Sequence, residues 1–207
     1  MKTHGTALTN VPAIAESARA PVPLAKAVRT SMIASSRQSL RDLGLYARYL
    51  DCLTPAERTL IDEVVVGTWC PISVIYTHYE ACDRLGLTVA ETVEMGRGLS
   101  NKMHKPVFAV GVRLAGAAGM TPWHLAKQAE KMWPRMYDGG AFTTALLGPK
   151  EGRIEILGFP PAAISYSRIA WRGVILGATE LFSRRAYVNE IPAACTSINL
   201  AYRVSWA

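Results

Sequence analysis

Apolar residues recur at helical spacing from Arg37 to Leu53, with Leu40, Leu43, Leu45, Tyr46 and Leu50 on one broad side, which predicts a first helix. A second begins at Thr54-Pro55-Ala56-Glu57, where a hydroxyl cap, a proline at the first helical position and a glutamate reaching back form a capping box. After Trp69-Cys70-Pro71 a third helix should run to about Leu85. Ile72, Ile75, Tyr76, Tyr79 and Cys82 lie on one of its faces and Val74, Ala81 and Leu85 on another, so it is read as a central helix. Thr88 and Glu91 open a further helix toward Met103, carrying Val89, Val93 and Gly96 at helical spacing. Val107 to Ala118 is a run of small apolar residues suited to close helix packing. Thr121-Pro122 then caps a helix striped with Leu125, Ala129, Met132, Trp133 and Met136, which Pro134 should end or kink near Trp133.

Past Asp138-Gly139-Gly140 the period changes from 3.6 to 2. Phe142–Leu147 and Arg153–Leu157 read as two strands around the turn Gly148-Pro149-Lys150-Glu151-Gly152. A helix follows from about Ala162 to Phe182. One stripe has Ile164, Trp171, Ile175, Ala178 and Phe182, and a second has the small residues Ala170, Gly173 and Gly177. Ala186–Ile191 makes a third strand, and Ser197–Trp206 a fourth, with Ile198, Leu200, Tyr202, Val204 and Trp206 alternating against smaller or polar neighbours. Helices first and then strand, strand, helix, strand, strand define an α+β fold, a four-stranded antiparallel sheet packed against helices.

Length and composition keep this to one domain. The chain has 207 residues, half of them hydrophobic and 19% charged, so it requires a large core or an apolar pocket. No apolar run reaches the roughly 18–20 residues that span a bilayer; the most apolar stretch, Ile169–Leu181, is interrupted by Arg172, Gly173 and Gly177. The net charge of +7 raises nucleic acid as a partner. The basic residues are dispersed, and no recognition motif accompanies them, which argues against it. Four cysteines without a CxxC pair, and no secretory leader pattern, fit a reduced, cytoplasmic protein. Residues 1–36 hold few acids and a short stripe of Val22, Leu24, Val28, Met32 and Ile33. They are read as a flexible or partner-ordered arm, with the domain proper over 37–207.

Three stretches carry a family resemblance: Leu53 to Gly86, with Leu53-Thr54-Pro55-Ala56-Glu57-Arg58 and Trp69-Cys70-Pro71; Met95-Gly96-Arg97; and Ala129 to Gly139. The closing Tyr202-Arg203-Val204-Ser205-Trp206 also fits. With this order of elements, residues 38–207 resemble the 4-vinyl-reductase-type ligand-binding domain, which shares its fold with haem-nitric-oxide-binding domains and with Bet-type subunits of vesicle-tethering complexes. The nearest likeness is to an uncharacterised myxobacterial-type paralogous family. The resemblance implies a cavity between helices 71–86, 121–133 and the sheet that takes a hydrophobic ligand, and a sensory or adaptor role with dimerisation. Vinyl-reductase-type members often carry a cysteine pair before the last strand, whereas Cys195 stands alone here.

Against that background, Trp69, Tyr76, Tyr79, Trp133, Tyr137 and Trp171 are the candidate ligand-binding residues, since a pocket needs apolar walls with few polar anchors. The same aromatics would equally fill a core. Cys70, His78 and Cys82 are weak metal or haem candidates: His78 and Cys82 are one helical turn apart, but two ligands do not close a tetrahedral site. Tyr166-Ser167-Arg168 is contiguous, unlike the spaced triad that holds haem propionates in the nitric-oxide-binding relatives, so that role is not carried over. No nucleophile with a base, paired carboxylates or phosphate loop is recognisable. The expectation is a non-enzymatic small-molecule-binding or sensory domain with no cofactor, haem being a weaker alternative. Its partners would be a hydrophobic small molecule and a second copy or another protein. A second reading is an assembly module with a filled core.

Overall fold

The structure, a computed structural model, describes residues 21–101 and 119–207. The predicted Val107–Ala118 run lies outside the described residues. The chain first forms β1 (Ala27–Arg29), the middle strand of a small antiparallel sheet between β2 (Trp69–Pro71) and β3 (Tyr137–Asp138). Ala25, Val28, Thr30 and Ile33 are buried. This corrects the boundary expected after residue 36: backbone pairing on both edges of β1 and the burial of its neighbours make the residues from Ala25 onward part of the core. Strands of two and three residues carry no period-2 signal, which is why this sheet was not anticipated.

The helix expected over 37–53 is two helices and starts earlier. α1 (Thr30–Asp42) and α2 (Tyr46–Asp51) are separated at Gly44, whose φ of +69° is a conformation that glycine adopts without steric cost. Ser36 and Ser39 are buried in α1, and Ser39 Oγ donates back to the Ser35 carbonyl. α3 (Pro55–Asp62) has its capping box: Thr54 N–H donates to Glu57 Oε2 at 2.7 Å, and Glu57 N–H donates to Thr54 Oγ1 at 3.3 Å. α4 (Ile72–Asp83) is the central helix, burying Val74, Ile75, His78, Tyr79, Ala81 and Cys82. α5 (Val89–Asn101) is capped by the reciprocal Thr88 and Glu91 bonds.

α6 (Pro122–Met136) runs through Pro134 instead of stopping before it, because the helix ends only two residues later, where the chain leaves as β3. The main sheet has the order β4 (Ala141–Gly148), β5 (Glu151–Leu157), β7 (Leu200–Trp206), β6 (Ala186–Glu190), all antiparallel. In β5, Gly152, Ile154 and Ile156 are buried in alternation. A 3₁₀ turn over Pro160–Ala163 leads into α7 (Ser165–Glu180), and the Tyr202 hydroxyl donates to the Arg168 carbonyl at 2.7 Å, tying the sheet to that helix. The fold is α+β, a four-stranded antiparallel sheet packed on helices. No helix among the described residues is long and apolar enough to cross a membrane.

Candidate functional site

An apolar pocket of about 180 Å³ lies between α1, α6, α7 and the first two strands of the main sheet. The α6 stripe supplies Leu125, Ala126, Ala129 and Met136, with Pro122 at its start. From α7 come Trp171, Val174, Ile175, Ala178 and Thr179, while Met32 closes the α1 side and Phe142 and Ile154 form the sheet floor. None of these lining residues carries a charge. Alanines at 126, 129 and 178, where larger residues would meet across the gap, leave the volume open.

Two of the described lining residues, Thr179 and Trp171, carry a polar side-chain group. Thr179 Oγ1 donates to the Ile175 carbonyl at 2.7 Å, spending its proton on its own helix. The indole N–H of Trp171 is buried and finds no hydrogen-bond acceptor among the described residues. The neighbouring indole differs: Trp133 Nε1–H donates to the Gly139 carbonyl at 3.1 Å.

Of the six aromatics proposed from sequence, Trp171 alone lines this pocket. Trp133 and Tyr137 stack with centroids 4.3 Å apart and pack edge-on against Phe159, forming a filled wall behind it. Tyr79 lies in the core beside Tyr166, at 5.5 Å between centroids, and Tyr76 packs against the core half-buried. Trp69 is 41% exposed on β2 with the Arg29 guanidinium 4.4 Å over its ring. It borders an open cleft of about 320 Å³ with Leu60, Val65 and Cys70. The cavity implied between 71–86, 121–133 and the sheet is therefore displaced: α7 and α1 take the place of α4. Leu125, Ala129, Met136, Ile175 and Ala178 were read as helix stripes and missed as pocket walls, and the small side chains within those stripes were the available signal.

The metal candidates are placed otherwise. His78 is fully buried; its Nδ1 shares a 2.8 Å hydrogen bond with the Tyr49 hydroxyl, and its Nε2 is 3.8 Å from Cys82 Sγ. Burial, helped by the Arg37 charge, pulls the His78 pKa down to about 3, so the ring is neutral. Burial pushes the Cys82 and Tyr49 pKa values well up, so the thiol and phenol keep their protons. This is a closed, mutually satisfied core network. Cys70 is separate, on β2, with Sγ 3.7 Å from the Val28 carbonyl and its pKa raised by burial. Among the described residues no three His, Cys, Asp or Glu side chains converge on one point. His124 is exposed and closes the start of α6, its Nδ1 accepting from the Thr121 backbone N–H at 3.1 Å. Arg168 pairs with Glu190.

No protein-family model matches the sequence, and no curated protein matches it significantly. Solved structures do match its fold. An oxygen-binding H-NOX domain related to soluble guanylate cyclases aligns with a TM-score of 0.57 at 11% identity, over 86% of this chain and 94% of that one. A Cs H-NOX variant with 4-cyano-L-phenylalanine at its site 5 gives 0.55 at 13%, over 86% and 96%. A further structure, solved to study how a protein distorts porphyrin and modulates haem redox potential, gives 0.56 at 11%, over 86% and 94%. At such identities the likeness shows the fold.

These neighbours overturn the expectation of no cofactor with haem only a weak alternative, since solved examples of the fold were studied for their haem. The described residues of the pocket do not fit that group. Its volume is below the roughly 300–1,000 Å³ of pockets for drug-sized ligands. Among the described residues no imidazole, thiol or phenol lines it and no cation is placed for propionates, the soft donors there being the thioethers of Met32 and Met136.

Proposed function

We propose that this chain is a small-molecule-binding sensory domain on the fold of haem-nitric-oxide-binding domains, with its ligand between α1, α6, α7 and the sheet. The observation that supports this best is the uncharged pocket of about 180 Å³ in the layer between helices and sheet. A cavity of about 150 Å³ with apolar walls stays dry and binds benzene, so this one has room for a compact apolar ligand. A ligand here touches the α1, α6 and α7 side chains together, so its arrival stabilises one packing of three helices, which is what a sensor transmits. Binding without chemistry accords with a lining that, among the described residues, carries no ionisable nucleophile, acid or base.

The test is a thermal-shift series with small aromatic ligands on the full chain and on Ala129→Trp, which fills the gap. Saturating ligand should raise the Tm of the natural chain by several degrees and leave that of Ala129→Trp unmoved. Equal shifts in both would place the ligand elsewhere.

A second reading, an assembly module that dimerises or binds a protein, is favoured by the exposed Leu60, Val65 and Trp69 lining the open cleft. Sedimentation over a hundredfold concentration range separates the two, since a monomer throughout removes the homodimer.

A further inference from the structure

We infer that the end of the main sheet formed by the β4–β5 turn and the start of β6 is a docking surface for an anionic lipid bilayer, into which Leu146 and Leu147 insert while Lys150, Arg184 and Arg185 meet the headgroups. None of these five residues lines the pocket.

The backbone brings them to one end of the sheet. β4 and β5 meet in a hairpin whose last ladder pairs are Leu146 with Gly152 and Gly148 with Glu151, so Leu147, Pro149 and Lys150 belong to its tip. The Trp206 N–H donates to the Lys150 carbonyl at 3.1 Å, which ties the tip to the end of β7. The N–H groups of Arg184 and Arg185 donate to the Ala207 carbonyl at 2.9 and 3.3 Å, so the chain entering β6 lies at the same end. With neighbouring strands about 4.8 Å apart, the hairpin tip and the two arginines stand roughly 15 Å from each other across the sheet.

The leucines have no core to enter. Trp123 lies over Gly152, its ring 3.3 Å from where a Cβ there would stand, and fills the helix side of that row. Leu146, the ladder partner of Gly152, is left 53% exposed. Leu147 is the extra residue where the register shifts, a bulge of the kind that re-aims a side chain, and it is 37% exposed. Two adjacent leucines on a projecting tip present apolar surface that folding does not use.

Charge selects the partner. Lys150, Arg184 and Arg185 are all exposed, and none enters an ion pair with a described residue. The acids nearest to them in the chain are taken, Glu151 by Arg203 and Glu180 by Arg97. Three unpaired cations beside two aliphatic side chains match an anionic bilayer, whose headgroups attract the cations and whose acyl boundary takes the leucines. Nucleic acid would use the cations alone, since bases stack on aromatic rings and leave a leucine pair idle.

Co-sedimentation of the full chain with phosphatidylcholine vesicles, made with and without phosphatidylserine, tests this. The chain should pellet with the anionic vesicles and come off as salt is raised. Lys150→Gln, Arg184→Gln and Arg185→Gln together should weaken binding on the order of a hundredfold, at about fivefold per cation. Leu146→Thr with Leu147→Thr should weaken it about tenfold. No binding to the phosphatidylserine vesicles, or binding that either set of substitutions leaves unmoved, overturns the inference. If only the cations matter and a DNA duplex is retained as well as the vesicles are, the surface belongs to nucleic acid instead. All five side chains are exposed, so the variants should melt at the natural Tm. If the leucine pair does not, Leu147→Thr alone, at a position without a ladder partner, decides by a loss of about threefold.

Discussion

Gly96 and Gly173 face each other where α5 crosses α7, at a separation that leaves no room for a methyl group on either. A Cβ on Gly96 would stand 2.0 Å from the Ala170 carbonyl oxygen and 3.0 Å from the Gly173 Cα. One on Gly173 would stand 2.1 Å from the Val93 oxygen. The obstructing atoms are backbone, which cannot swing aside, so the two helices must move apart to admit a side chain.

Gly173→Ala should therefore destabilise the domain by at least about 2 kcal/mol, in the upper part of the range for overpacked sites. Urea unfolding followed by far-UV circular dichroism measures it. Because α7 forms one wall of the pocket, the same substitution should also weaken ligand binding.

The small-residue stripe Ala170, Gly173, Gly177 was readable from the sequence, but its role at the α5–α7 crossing was not, since close packing was expected of Val107–Ala118 instead. The two Thr/Glu capping boxes, the central position of α4 and the alternation in β5 were legible because each is a local pattern with one physical cause, whereas β7 starts only at Leu200 and buries Ala201 between Leu200 and Tyr202, departing from the alternation expected over Ser197–Trp206. Two features were not legible. The β1–β2–β3 sheet pairs residues some 40 and then over 100 positions apart through strands too short to alternate, and Ser31–Ser39 gives α1 a polar texture that hides its start. The site was half legible. The stripes on α6 and α7 were seen, but whether facing stripes meet or leave a gap depends on how the two helices and the sheet are set in three dimensions, which no one-dimensional period encodes. Aromatic residues drew attention instead, and all but Trp171 serve as core or surface.

Residues before position 37 should be needed for folding. Removing residues 1–36 deletes β1 and the first turns of α1, with the buried Val28, Thr30 and Ile33. Thr30 Oγ1 also donates to the Val65 carbonyl at 2.8 Å, holding the loop before β2. The truncated chain should lose its cooperative thermal transition at any protein concentration. A sharp transition with natural Tm would show that the core begins later.

His78 should make stability fall in acid. Its folded pKa of about 3 lies below the ordinary value of 6.5, so the unfolded chain takes up the proton first. The His78 contribution is complete above pH 6.5 and is lost as pH falls from there toward 3, at up to about 1.4 kcal/mol per unit. His78→Gln should flatten this part of the stability–pH curve. Tyr49→Phe, which strands His78 Nδ1, should cost about 1–3 kcal/mol near neutral pH. Neither variant should alter ligand affinity, since neither residue lines the pocket.

The central claim is that a small apolar molecule enters the space between α1, α6, α7 and the sheet, and crystals of the full chain soaked in iodobenzene test it most directly. The anomalous signal of iodine marks the ligand without reference to any wall. The predicted result is a peak between Leu125 and Trp171 above the Phe142 floor, absent from Ala129→Trp crystals treated alike. Iodine found only in the open cleft beside Trp69, or nowhere in the molecule, would contradict it.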